Sequence, residues 1–178
     1  MSSQYSKPPK SELHNLLMYY QNRQYDKAEN LALSITQKYP MHNYAWKILA
    51  AVLEQTNRTL EALKANQKAL EIDPYDPEIY LCLGNNFHQQ EKLDDAELNF
   101  KKALDLNPSY LQALYNLGLI LNKKQRFDDS ISFFKKVINL KPDFANGYYS
   151  LGSALIDLGE LDTAIVNLKK ATALKPAY

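Results

Sequence analysis

Apolar residues return at steps of three and four in short blocks along the chain. Trp46, Leu49 and Leu53 form one block, and Tyr80, Leu83 and Phe87 the next. Leu114, Leu117 and Leu121 follow, and then Tyr148, Leu151 and Leu155. Those steps put each block on one stripe of a helix. A short polar stretch comes after each block, as in 89–97 (QQEKLDDAE) and 123–131 (KKQRFDDSI), and reads as a turn into a second helix. Asp26, Asp94, Asp128 and Asp162 stand where those second helices begin. A carboxylate at that place is expected to accept hydrogen bonds from unpaired backbone N–H groups and to meet the positive end of the helix dipole. Each second helix then runs toward a proline, which cannot continue it and turns the residue before it away from helical geometry.

The punctuation is periodic. Pro40, Pro74, Pro108, Pro142 and Pro176 are each 34 residues apart, and Gly84, Gly118 and Gly152 keep the same period independently. A fixed period in this range is the mark of a repeat architecture. The units are 9–42, 43–76, 77–110, 111–144 and 145–178, with 1–8 read as a flexible tail because Ser, Gln, Lys and a proline fill it. Glycine inside a helix costs about 1 kcal/mol relative to alanine, so its recurrence needs a reason. Small residues recur in the second helix at Ala28, Ala62, Ala96, Ser130 and Ala164. The pattern predicts that the two helices of a unit approach closely at each glycine, with a small residue opposite.

The set Trp46-x-x-Leu49-Ala50-x-x-Leu53 with Ala62, Ala69 and Pro74 resembles the tetratricopeptide repeat, as does Tyr80-x-x-Leu83-Gly84-x-x-Phe87 with Ala96, Phe100, Ala103 and Pro108. The resemblance covers 9–178. The first unit departs most, with Glu12, Asn15 and Leu16 in place of an aromatic, a leucine and a glycine. A terminal unit has a single neighbour, so an atypical face is expected there. The resemblance implies an all-α fold: a right-handed superhelical solenoid of antiparallel helix–turn–helix repeats, whose first helices line a concave groove.

On that geometry the groove presents Tyr44, Lys47, Asn85, His88, Tyr115, Asn116, Asn122, Asn146 and Tyr149 to a protein or extended peptide. Tyr115 and Tyr149 are one period apart and are expected to form a row. Tyrosine offers a broad ring with a hydroxyl, and asparagine both donates to and accepts from a peptide backbone. The plain alternative is that these side chains only cover the helices and pack between neighbouring units. Some relatives capture the acidic C-termini of chaperones with two asparagines and a set of cations. Asn85 and Asn116 match the asparagines, but Leu81, Asn146 and Ser150 stand at the cationic places, so no such clamp is expected.

Charge and chemistry narrow the reading. Lys plus Arg number 21 against 20 Asp plus Glu, without the basic excess that phosphate neutralisation requires, so nucleic acid is not an expected partner. The pairs Lys101–Lys102, Lys135–Lys136 and Lys169–Lys170 read as a solvated outer face near helix ends. His14, His42 and His88 are scattered along the chain without metal-ligand spacing. Phosphate-binding and nucleophile-elbow motifs do not occur, and the single Cys82 sits between two leucines as a packing residue. A non-enzymatic scaffold without cofactor or metal is expected. No signal-peptide core or membrane-length apolar run is present, and one cysteine suits a reducing compartment, so the expected location is cytoplasmic. The sequence stops where a further unit would start, without a polar closing helix. Two expectations follow: self-association through the uncapped last repeat, or a substrate-docking region at the front of a larger enzyme such as a sulfotransferase, glycosyltransferase or oxygenase.

Overall fold

A computed structural model of the protein describes residues 7–176. Among them are ten helices and no strand: α1 Lys10–Gln21, α2 Tyr25–Lys38, α3 Asn43–Gln55, α4 Thr59–Ile72, α5 Pro77–Gln89, α6 Leu93–Leu106, α7 Leu111–Lys123, α8 Phe127–Leu140, α9 Ala145–Leu158 and α10 Leu161–Leu174. They form two compact units, Met1–Gln89 and Gln90–Tyr178. Within each unit successive helices pack on one another, α1 through α5 in the first and α6 through α10 in the second. The core of the first unit includes Leu16, Ile35, Leu49, Val52 and Leu53. That of the second includes Ile131, Phe134, Leu151 and Leu155.

The prolines act as expected. Each second helix ends two residues before its proline, and the residue between adopts an extended φ, from −131° at Tyr39 to −143° at Lys175. Trp46 Nε1 donates to the Pro40 carbonyl at 2.8 Å and the Tyr80 hydroxyl donates to the Pro74 carbonyl at 3.2 Å. The aromatic that opens each of these units thereby fixes the loop before it.

The acidic caps are not as expected. The residues preceding α2, α6, α8 and α10 are Gln24, Lys92, Arg126 and Glu160, and no side chain caps those helices by a hydrogen bond. Asp26, Asp94, Asp128 and Asp162 lie two residues further on, already within the first turn. There a carboxylate meets the positive end of the helix dipole. Pro8, assigned to the flexible tail, is buried. The rest of that tail that falls on residues 1–6 lies outside the described residues.

A second periodic feature escaped the pattern of apolar residues. Arg23, Asn57, Glu91 and Gln125 have φ of 56°, 59°, 57° and 58°, and Gly159, in the same register, has 88°. Each stands just after a first helix. The following N–H reaches back five residues, as from Arg126 to the Leu121 carbonyl at 2.9 Å and from Glu160 to that of Leu155 at 2.8 Å. This left-handed closure is the usual seat of glycine, since an L side chain there costs about 1–2 kcal/mol. Glycine's extra freedom in the unfolded chain offsets about half of that. Gln125→Gly is therefore expected to stabilise the protein by about 0.5–1 kcal/mol, read as a higher denaturant midpoint. An unchanged or lower midpoint counts against strain at this turn.

The helices do approach closely at the glycines, but what stands opposite is large. A Cβ on Gly118 would lie 2.6 Å from Cε1 of Phe134, and one on Gly152 would lie 2.7 Å from Cγ of Leu168. Ser130 and Ala164, the small residues expected there, lie one turn earlier, although the Ala164 carbonyl comes within 3.3 Å of the Gly152 position. Gly118 and Gly152 each make room for a bulky side chain of the partner helix. Leu16, in the same register of the first unit, is fully buried together with Ala32. The bulk has changed sides.

Candidate functional site

In the first unit the first helices α1, α3 and α5 bring together most of the polar chemistry. Tyr44 and Lys47 are one turn apart on α3 and both are half-buried. Burial opposes the charge on Lys47, yet hydrogen bonds from its ammonium to Asp76 and Glu78 win and raise its pKa. The Asp76 bond is 2.7 Å and Glu78 forms a second ion pair. Lys47 thus ties α3 to the start of α5. Burial, with Glu78 nearby, raises the Tyr44 pKa while Lys47 opposes the shift. Asn85 and His88, on α5, are half-buried and engaged in contacts of their own.

Sequence reasoning missed Glu54. Its Oε1 accepts from Asn86 Nδ2 at 2.8 Å and from Asn66 Nδ2 at 3.3 Å, and Asn66 Nδ2 also lies 3.2 Å from Asn86 Oδ1. Both asparagines are buried. Desolvation raises the Glu54 pKa, and the two amides moderate the rise. Tyr20 is raised first by burial, then by Tyr25 and Glu54. A signal was available: Asn66 stands in the register of Phe134, and Asn86 in that of Ile120. An amide where other units are apolar has to find a partner when buried. Cys82, also on α5, has its thiol pushed up to about 12 by burial, with Glu54 and Glu78 adding to the effect, which leaves it an inert packing residue.

In the second unit the two tyrosines of the expected row have different roles. Tyr115 is half-buried: its hydroxyl is 3.2 Å from Ser150 Oγ, and its ring meets Phe144 edge-on at 5.2 Å and Phe134 at 6.0 Å. It packs α7 against α8 and α9. Tyr149 is 50% exposed, and Asn146, one turn earlier on α9, is exposed too. Asn116 is half-buried with contacts of its own, and Asn122 Oδ1 accepts from the Ser130 hydroxyl at 3.4 Å.

Ion pairs hold neighbouring repeats together in both units. Arg58, in the loop between α3 and α4, binds Glu29 of α2 at 2.6 Å and Glu61 at 2.5 Å. Two periods later Arg126 binds Glu97 of α6 at 2.8 Å and Asp129 at 2.6 Å. Between α2 and α4 a hollow of about 520 Å³ has Leu33, Trp46, Leu49, Leu53 and Ala65 in its walls. Among the described residues, no group of three or more His, Cys, Asp or Glu side chains is arranged to hold a metal ion, and no helix is long and apolar enough to cross a membrane.

No curated protein matches the chain in sequence. Among solved structures, MamA superposes with a TM-score of 0.82 at 24% identity, covering 89% of this chain and 93% of that one. MamA from residue 41 to its end from Desulfovibrio magneticus RS-1 gives 0.85 at 15%, covering 94% and 95%. YrrB, described as a TPR protein with an unusual peptide-binding site, gives 0.79 at 18%, covering 96% and 88%. These likenesses show a shared solenoid fold. Models of the tetratricopeptide repeat match residues 18–77, 83–143 and 145–178. With its helix pairs, its closures and its paired glycines and bulky residues recurring in that register, this chain belongs to the tetratricopeptide repeat family.

Proposed function

We propose that the chain is a protein-interaction scaffold whose five repeats, 9–42 through 145–178, dock an extended peptide on the faces of their first helices. The observation that carries this reading is α9. One face of that helix buries Leu151, Ala154 and Leu155, while Asn146 and Tyr149 stand exposed on another. A large amphipathic ring held at half exposure beside an amide is the pairing that anchors peptide ligands. The peptide-binding description of YrrB, a protein of like fold, agrees with this use. Tyr44, Asn85 and His88 serve the same role in the first unit, with Glu54 and Tyr20 added to them.

An acidic C-terminus is not the ligand we propose. Leu81 and Ser150 are buried at two of the cationic places, and Lys47 is already committed to Asp76 and Glu78.

Selection of a displayed peptide library on the protein, followed by calorimetry with the selected peptides, tests the proposal. Tyr149→Ala is expected to weaken such peptides about tenfold with a smaller change in the unfolding midpoint than at Tyr115, because half the side chain lies in solvent. Tyr115→Ala, by contrast, is expected to lower the midpoint. Peptides that bind Tyr149→Ala as well as the parent would show that this face is not the docking site.

A further inference from the structure

We infer that Glu54 receives the ammonium group of a lysine in the docked peptide, with Tyr20 beside it to cover the stem, an inference that rests on peptide docking at the first helices. The site lies wholly in the first unit. The last turns of α1, α3 and α5 supply Tyr20, Glu54 and Asn86, and α4 supplies Asn66.

The charge of Glu54 has no use inside the fold. Its Oε1 accepts from Asn86 Nδ2 at 2.8 Å and from Asn66 Nδ2 at 3.3 Å. A glutamine at this position would tie α3 to α4 and α5 through the same bonds. Glu97, also shielded from solvent, is matched by Lys101, Lys124 and Arg126. Among the described residues no lysine, arginine or histidine pairs with Glu54. Nor does the repeat demand polarity here. The register of Glu54 holds Tyr20, His88, Asn122 and Ile156 in other units. That of Asn66 holds Phe100 and Phe134, and that of Asn86 holds Val52 and Ile120. An apolar set would fill these places at less cost than a half-buried charge and two buried amides. A partner's cation supplies what the chain leaves out.

The remaining chemistry selects lysine. Both amides fall on Oε1, and among the described residues no hydrogen bond falls on Oε2. One open oxygen suits the point charge of an ammonium, whereas the fork of an arginine needs two. Tyr20 and Tyr25 are half-buried, with ring centroids 6.3 Å apart. The Tyr25 hydroxyl donates at 3.5 Å to Oε1 of Gln55, the neighbour of Glu54. Burial raises the Tyr20 pKa, Tyr25, Glu54, Cys82 and Glu78 raise it further, and among the described residues no cation opposes them. Lys47 is bound to Asp76 and Glu78 instead. An aromatic ring beside a carboxylate takes up both the stem and the charge of a lysine.

Peptides selected on the full chain from a random displayed library are expected to share a lysine. Replacing that lysine by norleucine keeps the stem and drops the charge, and should weaken binding to the parent about tenfold. Arginine should recover only part of the loss. On Glu54→Gln, which keeps an acceptor for both asparagines, the lysine and norleucine peptides should bind alike, closing a double-mutant cycle between ligand and site. Tyr20→Leu should cost the lysine peptide more than the norleucine one, which checks the same place through a second variant. Selected peptides without a common lysine would overturn the inference and leave peptide docking intact. So would a lysine that matters equally to the parent and to Glu54→Gln. A library that yields no binder would remove the docking itself, and this inference with it.

Discussion

Gly118→Leu is expected to lower the stability of the second unit by about 3 kcal/mol, and Phe134→Ala by about the same or more, yet the double variant should be more stable than either single. At Gly118 even a methyl group would sit 2.6 Å from the Phe134 ring. The ring cannot swing away, since it is fully buried and lies against Tyr115, which is itself held by Phe144 and Ser150. The better helix propensity of leucine recovers only about 0.8 kcal/mol of the overpacking. Phe134→Ala fails for the opposite reason, because it leaves a void where the ring stood. Combining them moves the bulk from one helix to the other. The first repeat already contains that arrangement, with Leu16 and Ala32 fully buried three periods before Gly118 and Phe134. Urea unfolding of the four proteins in a double-mutant cycle measures the coupling. Simple addition of the two losses would mean that the glycine is not there for the ring.

This pairing also shows how far the chain was legible beforehand. The period, the helix pairs and their proline ends follow from residues whose backbone effects are local, so one sequence sufficed. The glycines announced close approach, but which residue fills the space depends on the rotation of one helix about its axis. An error of one turn placed Ser130 where Phe134 stands. The left-handed closures were invisible because four of the five positions hold Arg23, Asn57, Glu91 and Gln125, tolerated there by context. Among the groove candidates, exposure divided residues that look alike in sequence. Tyr115 and Tyr149 share a register, but Tyr115 is half-buried with Phe144 edge-on to its ring, while Tyr149 is 50% exposed. Lys47 stood among the residues expected to meet a partner, because its own partners in the fold, Asp76 and Glu78, lie across a loop. The ion-pair staples have the same cause of concealment. In a chain with 41 basic and acidic residues (21 and 20), nothing local separates Glu97 from its neighbours, and only the recurrence of Glu29 and Arg58 two periods earlier marks it.

Glu97 gives the second large effect. It lies on α6, only 6% exposed, and receives Lys101 Nζ at 2.7 Å, Lys124 Nζ at 2.6 Å and Arg126 Nη1 at 2.8 Å. Burial pushes its pKa upward, but the hydrogen bonds from those three cations outweigh it and hold the carboxyl at about 2. An unfolded glutamate titrates near 4.3, roughly two units higher. A depressed folded value means that the carboxylate stabilises the fold at every pH above the unfolded value, and that this contribution fades as pH falls from about 4.3 to about 2. Two units amount to about 3 kcal/mol. Lys101 and Arg126 are about half exposed, which reduces their share, so the expected loss in Glu97→Gln at pH 7 is about 2 kcal/mol. Guanidine would screen the pairs, so urea midpoints at pH 7, 4 and 3 are the measurement. The gap between parent and Glu97→Gln should be full at pH 7, smaller at pH 4 and smaller again at pH 3. A gap of constant size would assign the loss to packing rather than charge. Because Lys124 and Arg126 belong to the turn between α7 and α8 while Glu97 belongs to α6, the same substitution should loosen the joint between two repeats. Amide exchange in that turn is then expected to quicken more than exchange in the middle of α8.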